Sequence, residues 1–427
     1  KESAGKLEEI PGLVLQSGYT AERETTEFSK IPFLYGEQQG EISADTEGLQ
    51  DFRDRIIYYE SSRGCPFRCS YCLSSIDKKV RLRDLDIVKK ELQYFLDQKV
   101  HQVKFIDRTF NCNHTHAKEI WQHITKNDNG VTNFHFEIAA DILDEEELEL
   151  LSQMRPGLVQ LEIGVQTTNP DTLKEIRRFT DTEKLRRIVG RIVSGGNVHI
   201  HLDLIAGLPY EDYESFARSF EDVYQMKPHQ LQLGFLKVLK GSYMHEKVQD
   251  YGLQYQEKPP YEVLFTDWLS YEDVLRLKQV EEMVEIYYNS NQFTHTLPLL
   301  EQCFPTAFAM YEALAGYYET NGYFIQAPGR SYRYQVLLDF ALSIDPKRED
   351  LYKESLTYDI YLRENAKSRP EFAADTAPHK AEFHAFFAEE TYIRELLPDY
   401  EAYIEGDKPE FNSVIEKYIG KNNICAF

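Results

Sequence analysis

The most distinctive segment of this chain reads Ser61-Ser62-Arg63-Gly64-Cys65-Pro66-Phe67-Arg68-Cys69-Ser70-Tyr71-Cys72. Its cysteines are spaced C-x3-C-x2-C. Iron–sulfur clusters are held by cysteine thiolates, and three thiolates would bind three irons of a four-iron cubane and leave the fourth iron open to a ligand. Gly64 and Pro66 suit a tight loop around a cofactor. The spacing therefore predicts a [4Fe–4S] cluster on Cys65, Cys69 and Cys72.

Two other metal sites could use the same cysteines. Structural zinc prefers four ligands in paired C-x2-C or H-x3-H spacings, and the sequence offers no such partner motif. An electron-transfer cluster would need a fourth thiolate from Cys112, Cys303 or Cys425. Both alternatives are weaker than the open cluster. The scattered cysteines do not form a disulfide framework, which favours a reducing, cytoplasmic setting.

The segments around the cysteines alternate between strands and helices. Runs of strand length are followed by stretches with apolar residues at helical spacing, including one long predicted helix over 170–194. This alternation predicts right-handed crossovers and a parallel sheet. We therefore predict an α/β fold with a partial (β/α)6 TIM-like barrel, since six strands are too few for a closed eight-stranded one. The predicted strands are 55–60, 102–107, 133–139, 158–165, 198–206 and 230–236.

The chain is predicted to have three parts. Residues 1–50 are polar and weakly patterned, as expected of a linker or the tail of an absent N-terminal domain. Residues 51–240 carry the barrel pattern. Residues 241–427 are predicted to form a mostly α-helical C-terminal domain, which includes a capping box at Ser270-Tyr271-Glu272-Asp273.

The charge balance limits the classes of partner. The 427 residues include 48 Lys and Arg against 71 Asp and Glu, a formal net charge of −23. An acidic surface repels phosphate backbones and anionic lipids. No apolar run approaches the ~20 residues of a membrane-spanning helix. We therefore expect a small-molecule or unidentified substrate, with neither nucleic acid nor a membrane as partner.

The cysteine loop after the first strand of a partial barrel resembles the radical SAM superfamily over about residues 55–240. In that superfamily three cysteines bind a [4Fe–4S] cluster, and S-adenosylmethionine (SAM) chelates the fourth iron. One-electron reduction cleaves SAM to methionine and a 5′-deoxyadenosyl radical. The resemblance implies an electron donor such as flavodoxin or ferredoxin. It also assigns Tyr71, the aromatic residue before the last cysteine, to the cofactor site.

The later strands resemble the oxygen-independent coproporphyrinogen oxidase branch of that superfamily. The string Asp203-Leu204-Ile205-Ala206-Gly207-Leu208-Pro209 is very similar to that branch, where the Asp reaches the SAM ribose and the Ile backs the adenine. The second strand departs from the family because it lacks a Gly-Gly-Glu-like motif. The resemblance thus implies SAM contacts by Asp107 (in place of that motif), Glu137 (ribose), Gln166, Arg178 (SAM carboxylate), Asp203 and Ile205.

Each of these residues has a plainer structural alternative. Glu137 and Glu162 could be ion-pair partners inside the barrel, and Arg178 could be a solvated helix residue. His199 and His201 share one face of the fifth strand and are better explained as interior histidines than as a metal pair. The residues assigned to SAM nevertheless follow one another along successive strands, and this order favours the SAM contacts as a group.

A second resemblance concerns the reaction. The segment from Tyr58 to Pro66, followed by Phe-x-Asp-x-x-Phe-Asn at 105–111, is similar to cobalamin-binding radical SAM proteins with a helical C-terminal domain. It implies a methyltransferase that uses cobalamin through an N-terminal domain missing from this chain. The runner-up is a cobalamin-free enzyme of the coproporphyrinogen oxidase type, although Ser74 stands where that branch has a fourth cysteine. A non-enzymatic iron–sulfur or SAM sensor is the third hypothesis.

Overall fold

The computed structural model describes residues 7–16, 18–35, 55–364, 366 and 368–381. Its central element is a sheet of six strands whose order in the sheet follows the chain. β1 pairs with β2, β2 with β3, β3 with β4, and β5 with β6, all in parallel. The strands are β1 (Ile56–Tyr59), β2 (Gln102–Phe105), β3 (Asn133–Ile138), β4 (Val159–Gln166), β5 (His199–Ala206) and β6 (Gln230–Phe235). They confirm the predicted α/β fold, and each lies within two residues of its predicted bounds.

The chain divides into two compact units. We call Lys1–Ile163 with Glu183–His199 the cysteine unit, and Gly164–Thr182 with Ile200–Phe427 the helical unit. This division falls within the sheet, so the predicted domain boundary at residue 240 stays a prediction. The helices that connect the strands are α1 (Leu85–Asp97), α2 (His114–Lys126), α3 (Glu145–Ser152), α4 (Pro170–Glu175), α5 (Thr182–Gly195) and α6 (Tyr213–Tyr224).

The strands alternate in burial, because successive side chains of a strand point to opposite faces. In β4, Val159, Leu161, Ile163 and Val165 are buried, whereas the residues between them are only half-buried. β3 and β5 follow the same alternation except at His135 and His201, which are buried together with their neighbours. The polar face, as we call the less buried one, carries Lys104, His135, Glu137 and Glu162 in the cysteine unit, and Gln166, Asp203, Ile205 and Gln232 in the helical unit.

The buried face of the cysteine unit is packed by aromatic rings. The Phe136 ring on β3 lies 4.4 Å from that of Phe105 on β2 and 4.3 Å from that of Phe110, measured between centroids. Trp121 of α2 closes the group from the helix layer, with its centroid 5.5 Å from Phe110. All four side chains are at most 1 % exposed. These buried aromatic contacts hold β2 and β3 in place. The same two strands carry Lys104 and Glu137 on their polar face.

The predicted helix over 170–194 is wrong in one respect, because the structure breaks it into α4 and α5. Between them Arg177 adopts the left-handed region with φ 57°, and its guanidinium stacks on the Tyr243 ring at 3.7 Å. This cation–π contact is tertiary, and local helical spacing carries no information about it. The break carries Arg178 out of the helix.

Beyond the sheet the helical unit is mainly α-helical, as predicted. Its helices are α7 (Tyr243–Glu246), α8 (Tyr271–Met283), α9 (Thr296–Glu301), α10 (Ala307–Thr320), α11 (Tyr323–Gln326), α12 (Tyr332–Ile344) and α13 (Glu349–Arg363). Buried tyrosines join them, such as Tyr287 and Tyr318, whose hydroxyl oxygens lie 2.7 Å apart. The end of the predicted C-terminal domain, from residue 382, and residues 36–54 lie outside the described residues. Within the described part, every helix falls short of the length and apolar character that a membrane span requires.

Candidate active site

The three cysteines lie in one closed excursion of the chain after β1. Two-residue strands, Ser62–Arg63 and Arg81–Leu82, pair antiparallel and hold the ends of the loop 64–80 together. Beside this hairpin Arg83 is buried and paired with Glu91 of α1 at 2.6 Å. The loop therefore leaves the carboxyl end of β1, where chemistry on parallel α/β sheets collects, and returns to a fixed anchor.

Backbone contacts set the start of the loop. Gly64 has φ 96°, and a Cβ atom there would collide with the carbonyl oxygen of Lys79. The adjacent Cys65 donates its N–H to the carbonyl of Asp77 at 3.0 Å. Glycine is required here because only a residue without a side chain tolerates both the left-handed backbone and this close approach.

The thiols are placed close together and away from water. Cys65 and Cys69 are each 8 % exposed, and Cys72 is half-buried. Burial raises the pKa of the Cys65 thiol, and the neighbouring Cys69 and Cys72 sulfurs raise it further by charge repulsion. The Cys65 Sγ also lies 3.7 Å from the Thr109 Oγ1. Three clustered thiols, two of them buried, fit the donor set of an iron–sulfur cluster.

The same loop fits a single zinc ion poorly. Tetrahedral coordination at about 2.3 Å would bring thiolate sulfurs to roughly 3.8 Å from one another. Among the residues that the structure describes, no trio of metal-ligating groups within 4.8 Å of one another includes a cysteine. The wider spacing suits a multi-iron cubane, in which each thiolate binds its own iron.

The Asp107 carboxylate is hydrogen-bonded to other residues of the protein. It is fully buried, and its carboxylate accepts hydrogen bonds from the Ser61 N–H at 2.7 Å, the Ser61 hydroxyl at 2.6 Å and the Ser62 hydroxyl at 2.7 Å. Burial raises its pKa to about 6 against these donors. The side chain ties the segment after β2 to the base of the cysteine loop. A SAM contact by Asp107 stays a prediction, but these bonds already occupy both of its oxygens.

Glu137 and Glu162 stand directly opposite each other on β3 and β4. Glu162 is paired with Lys104 Nζ at 3.0 Å and lies 2.9 Å from His135 Nε2. The His135 hydrogen bond, with Lys104, lowers the Glu162 pKa to about 2. Burial and the Glu162 charge instead raise the Glu137 pKa to about 7. The plainer alternative is thus observed for Glu162, whereas half-buried Glu137 lies on the polar face as the ribose assignment requires.

In the helical unit, Gln166 and Arg178 meet around Gly164. Gln166 ends β4 in the left-handed region with φ 73°, and the Arg178 guanidinium donates to the Gly164 carbonyl. A Cβ on Gly164 would collide with the Gln166 amide. The Gln166 Oε1 is buried without a hydrogen-bond partner among the described residues, which is unusual for a buried acceptor. An amide aimed at no protein donor is consistent with a ligand contact.

Asp203 and Ile205 occupy the polar face of β5, with Asp203 opposite Gln232 and Ile205 opposite Gly234 of β6. The turn that follows begins at Gly207, where φ is 87° and a Cβ would press on Val263. Both side chains are half-buried, in the phase predicted for residues that face the barrel interior. Of the predicted residues, the structure brings together the cysteines with each other and Gln166 with Arg178.

Two further residues were missed from the sequence. Thr109 contacts Cys65, and its place after β2 could have revealed it, because strand ends carry the site. Glu211 is buried in the helical unit, where its Oε1 accepts from Thr167 at 2.6 Å and Ser219 at 3.0 Å. Burial raises the Glu211 pKa to about 7. These bonds support the turn after Gln166, and a charged residue following Gly-Leu-Pro gave no signal of burial.

Cys112 lies outside the cysteine loop, although near enough to Cys65 for their charges to interact. It ends a short 3-10 turn after β2 and is half-buried. Burial raises its pKa to about 11, so the thiol stays protonated at neutral pH. Burial also raises the pKa of the Cys65 thiol, so this shift does not distinguish the two cysteines, and the exclusion of Cys112 from the ligand set stays a prediction.

Two families match this chain. The family described as "Radical SAM superfamily" matches residues 59–223. The family described as "Protein of unknown function (DUF4080)" matches residues 249–418. The first match contains the cysteine loop and β2 to β5, and the second covers most of the region predicted to be the helical C-terminal domain.

Curated relatives match parts of the chain. The cobalamin-dependent radical SAM methyltransferase TokK of Streptomyces tokunonensis is 24% identical over 253 residues, which are 54% of this chain and 34% of TokK. An oxygen-independent coproporphyrinogen III oxidase of Salmonella typhimurium is 33% identical over 105 residues, 23% of each chain. The chain thus spans about a third of the length of the methyltransferase and less of the oxidase.

Solved structures also match in part. The radical SAM methyltransferase TsrM of Kitasatospora setae, with cobalamin and a [4Fe–4S] cluster bound, matches with a TM-score of 0.42 and 18% identity, over 48% of this chain and 43% of TsrM. The coproporphyrinogen III oxidase of Escherichia coli matches with a TM-score of 0.36 and 17% identity, over 54% of this chain and 60% of the oxidase.

Proposed function

We propose that this chain, which belongs to the radical SAM superfamily, binds a [4Fe–4S] cluster through Cys65, Cys69 and Cys72 and cleaves SAM reductively. When bound, the cluster supplies one electron to SAM, which breaks into methionine and a 5′-deoxyadenosyl radical. The observation that carries the proposal is the closed loop that holds three thiols, two of them buried, at the carboxyl end of β1.

The protein's own residues have distinct parts in this proposal. The cysteine thiolates hold three irons. Glu137 and Asp203 accept hydrogen bonds from ribose hydroxyls, and Arg178 meets the SAM carboxylate, because a guanidinium pairs with a carboxylate through two bonds. Gln166 supplies the amide whose oxygen has no partner in the described protein. Tyr71 and Ile205 add apolar contact.

The finer proposal is methyl transfer to an unactivated carbon in a cobalamin-associated enzyme. Two observations support it: the resemblance around Tyr58–Pro66, and the similarity to methyltransferases such as TokK over more than half of the chain. Cobalamin itself would be held by a separate domain, as in the proteins that this chain resembles.

The test is an anaerobic, dithionite-reduced reaction analysed by mass spectrometry. We expect 5′-deoxyadenosine from SAM cleavage and, for methyl transfer in the presence of hydroxocobalamin, S-adenosylhomocysteine as well. 5′-Deoxyadenosine alone would support hydrogen abstraction without methylation. Neither product from a protein with an intact cluster would contradict the enzyme and favour a sensor.

Matched cysteine variants make this test specific. Cys69→Ala should abolish both the ~400 nm iron–sulfur absorbance and 5′-deoxyadenosine formation, because a thiolate ligand is lost. Cys112→Ala removes a thiol outside the loop and should leave both intact. A cluster that survives Ala substitution at each of the three loop cysteines in turn would refute the ligand assignment.

The second candidate is a cobalamin-free enzyme of the coproporphyrinogen oxidase type. The string from Asp203 to Pro209 favours it, as does 33% identity to such an oxidase over 105 residues. That enzyme class would form 5′-deoxyadenosine but no S-adenosylhomocysteine, so the same product analysis separates the two candidates.

A further inference from the structure

The segment that carries the cysteine loop is basic, whereas the chain as a whole is acidic. Residues 61–83 contain six basic residues and one acidic residue, a net charge of +5 in a chain of −23. Three of the bases are neutralised: Arg63 by Glu60 at 2.5 Å, Arg81 by Asp77 at 2.5 Å, and buried Arg83 by Glu91.

The other three bases are available. Arg68, Lys78 and Lys79 are exposed, and in the part of the chain that the structure describes no ion pair engages them. Screening in physiological salt limits charge interactions to about 8 Å. A partner touching this loop therefore experiences these cations more strongly than acidic groups that lie beyond that distance.

The same segment also exposes three apolar side chains. Leu73 is 40 % exposed, Ile76 is 63 % exposed and Leu82 is 37 % exposed. Exposed apolar residues rimmed by charge are typical of protein interaction sites. The loop patch, as we call this surface, consists of Arg68, Leu73, Ile76, Lys78, Lys79 and Leu82.

The loop patch is built directly onto the cluster ligands. Leu73 follows half-buried Cys72 in sequence. The carbonyl of Asp77, next to Lys78, accepts the Cys65 N–H at 3.0 Å, and the carbonyl of Lys79 packs against Gly64. A protein seated on the patch would therefore contact the backbone that carries the cluster ligands.

We propose that the loop patch docks an acidic one-electron carrier protein of the flavodoxin or ferredoxin type. This inference rests on the proposed function, because it requires an iron–sulfur site on Cys65, Cys69 and Cys72. One electron leaves the reduced carrier and enters that site, and no bond forms or breaks at docking. An acidic carrier is repelled by a chain of −23 except where local charge is positive, so the patch selects both the partner and its point of contact.

The test compares two reductants. SAM cleavage is driven either by a purified acidic flavodoxin with its reductase or by dithionite, which needs no docking surface. The variant is Lys78→Glu with Lys79→Glu. We expect flavodoxin-driven 5′-deoxyadenosine formation to fall about tenfold or more, and dithionite-driven formation to stay at the wild-type rate.

The matched control is Lys90→Glu with Lys126→Glu. Both lysines are exposed, on α1 and α2, and their substitution changes the net charge by the same amount. This control should keep both rates. An equal loss of flavodoxin-driven rate in the control would overturn the proposal, because total charge rather than the patch would then set the rate.

Direct binding provides a readout independent of turnover. The Kd of flavodoxin, measured by biolayer interferometry, should rise about tenfold in Lys78→Glu with Lys79→Glu, and wild-type binding should weaken from about 50 to about 300 mM NaCl. Unchanged affinity in the variant would overturn the proposal. If the variant loses its cluster, the salt dependence of the wild-type protein tests the proposal instead. A flavodoxin-driven rate of 5′-deoxyadenosine formation that does not fall with salt would overturn the docking proposal. Failure of dithionite to cleave SAM in the wild-type protein would instead refute the proposed function.

Discussion

The end of β2 and the end of β3 each carry an acidic residue for which the sequence predicts a SAM contact, yet the two regions are built differently. After β2, Asp107 is fully buried and accepts three hydrogen bonds from Ser61 and Ser62. On β3, Glu137 is half-buried and faces another acid, Glu162. The β2 end supplies its carboxylate with donors, and the β3 end supplies a competing charge.

This difference indicates which carboxylate is available to a ligand. A buried carboxylate surrounded by donors is already stabilised by the protein and gains little from a new partner. Glu137 has a pKa of about 7, raised by burial and by Glu162. Ribose hydroxyls would donate hydrogen bonds to Glu137, whose carboxylate has no hydrogen-bond donor among the residues that the structure describes. We therefore interpret Asp107 as support for the cysteine loop and Glu137 as a ligand contact.

The largest expected effect is on the β2 side. Asp107→Ala leaves the Ser61 N–H and the buried Ser62 hydroxyl without this acceptor, at about 1–3 kcal/mol for each unsatisfied group, while the Ser61 hydroxyl keeps His116 Nε2 at 3.1 Å. We expect the free energy of unfolding, measured in urea, to fall by roughly 3 kcal/mol or more and the ~400 nm absorbance to be lost or weakened. Wild-type stability in this variant, with loss of SAM binding alone, would reverse our interpretation of the two regions.

The next effect concerns the β3 side. Glu137→Gln keeps the shape but removes the charge, so a charge-assisted hydrogen bond to the ribose becomes a neutral one. We expect the Kd of SAM, measured by isothermal titration calorimetry, to rise about tenfold, with the cluster absorbance unchanged. Glu162→Gln is the matched comparison on β4 and should change SAM affinity less. Equal losses would show that the pair acts as a unit.

The pH dependence sharpens the same contrast. Because ionised Glu137 accepts hydrogen bonds from ribose hydroxyls more strongly than the protonated acid does, SAM affinity should be full above its pKa of about 7 and fall as the pH drops below it. Between pH 8 and pH 6 the Kd should rise about tenfold, one decade per pH unit below the pKa. Glu137→Gln should abolish this dependence. A pH-independent Kd in the wild-type protein would mean that Glu137 is not the ribose contact.

The smallest effect is on stability without SAM. The folded-state pKa of Glu137 lies above its ordinary value, so folding favours the protonated form and loses stability as the pH rises from about 4.5 to about 7. Glu137→Gln lacks this loss. Its melting temperature should exceed the wild-type value by a few degrees at pH 8 and match it near pH 4.5. A lower melting temperature at pH 8 would contradict the assigned sign.

Local patterns in the sequence were enough to predict the strands and the cysteine loop. Val159, Leu161, Ile163 and Val165 alternate with half-buried residues as a two-residue period requires. The loop spacing is likewise a local signal. The phase of Glu137 and Asp203 followed from the same period, because alternation decides which face a strand residue occupies.

What the sequence missed depends on contacts between distant segments. The break between α4 and α5 depends on Arg177 stacking on Tyr243, 66 positions away, and only Asp181, a residue type favoured at helix starts, hinted at it. Asp107 finds its donors 46 and 45 residues earlier. Partners at such separations are decided by the fold, so a motif comparison assigned Asp107 to SAM without information about Ser61 and Ser62.

The position of Gly64 has an evolutionary consequence. Since a Cβ there would meet the carbonyl of Lys79 while the backbone sits at φ 96°, mutation at this site is restricted however the substrate changes. Lineages that diversify the helical unit for new substrates should therefore retain glycine one residue before the first cysteine. Lys78 and Lys79, whose side chains extend from the same segment into solvent, are free to vary with the redox partner of each host.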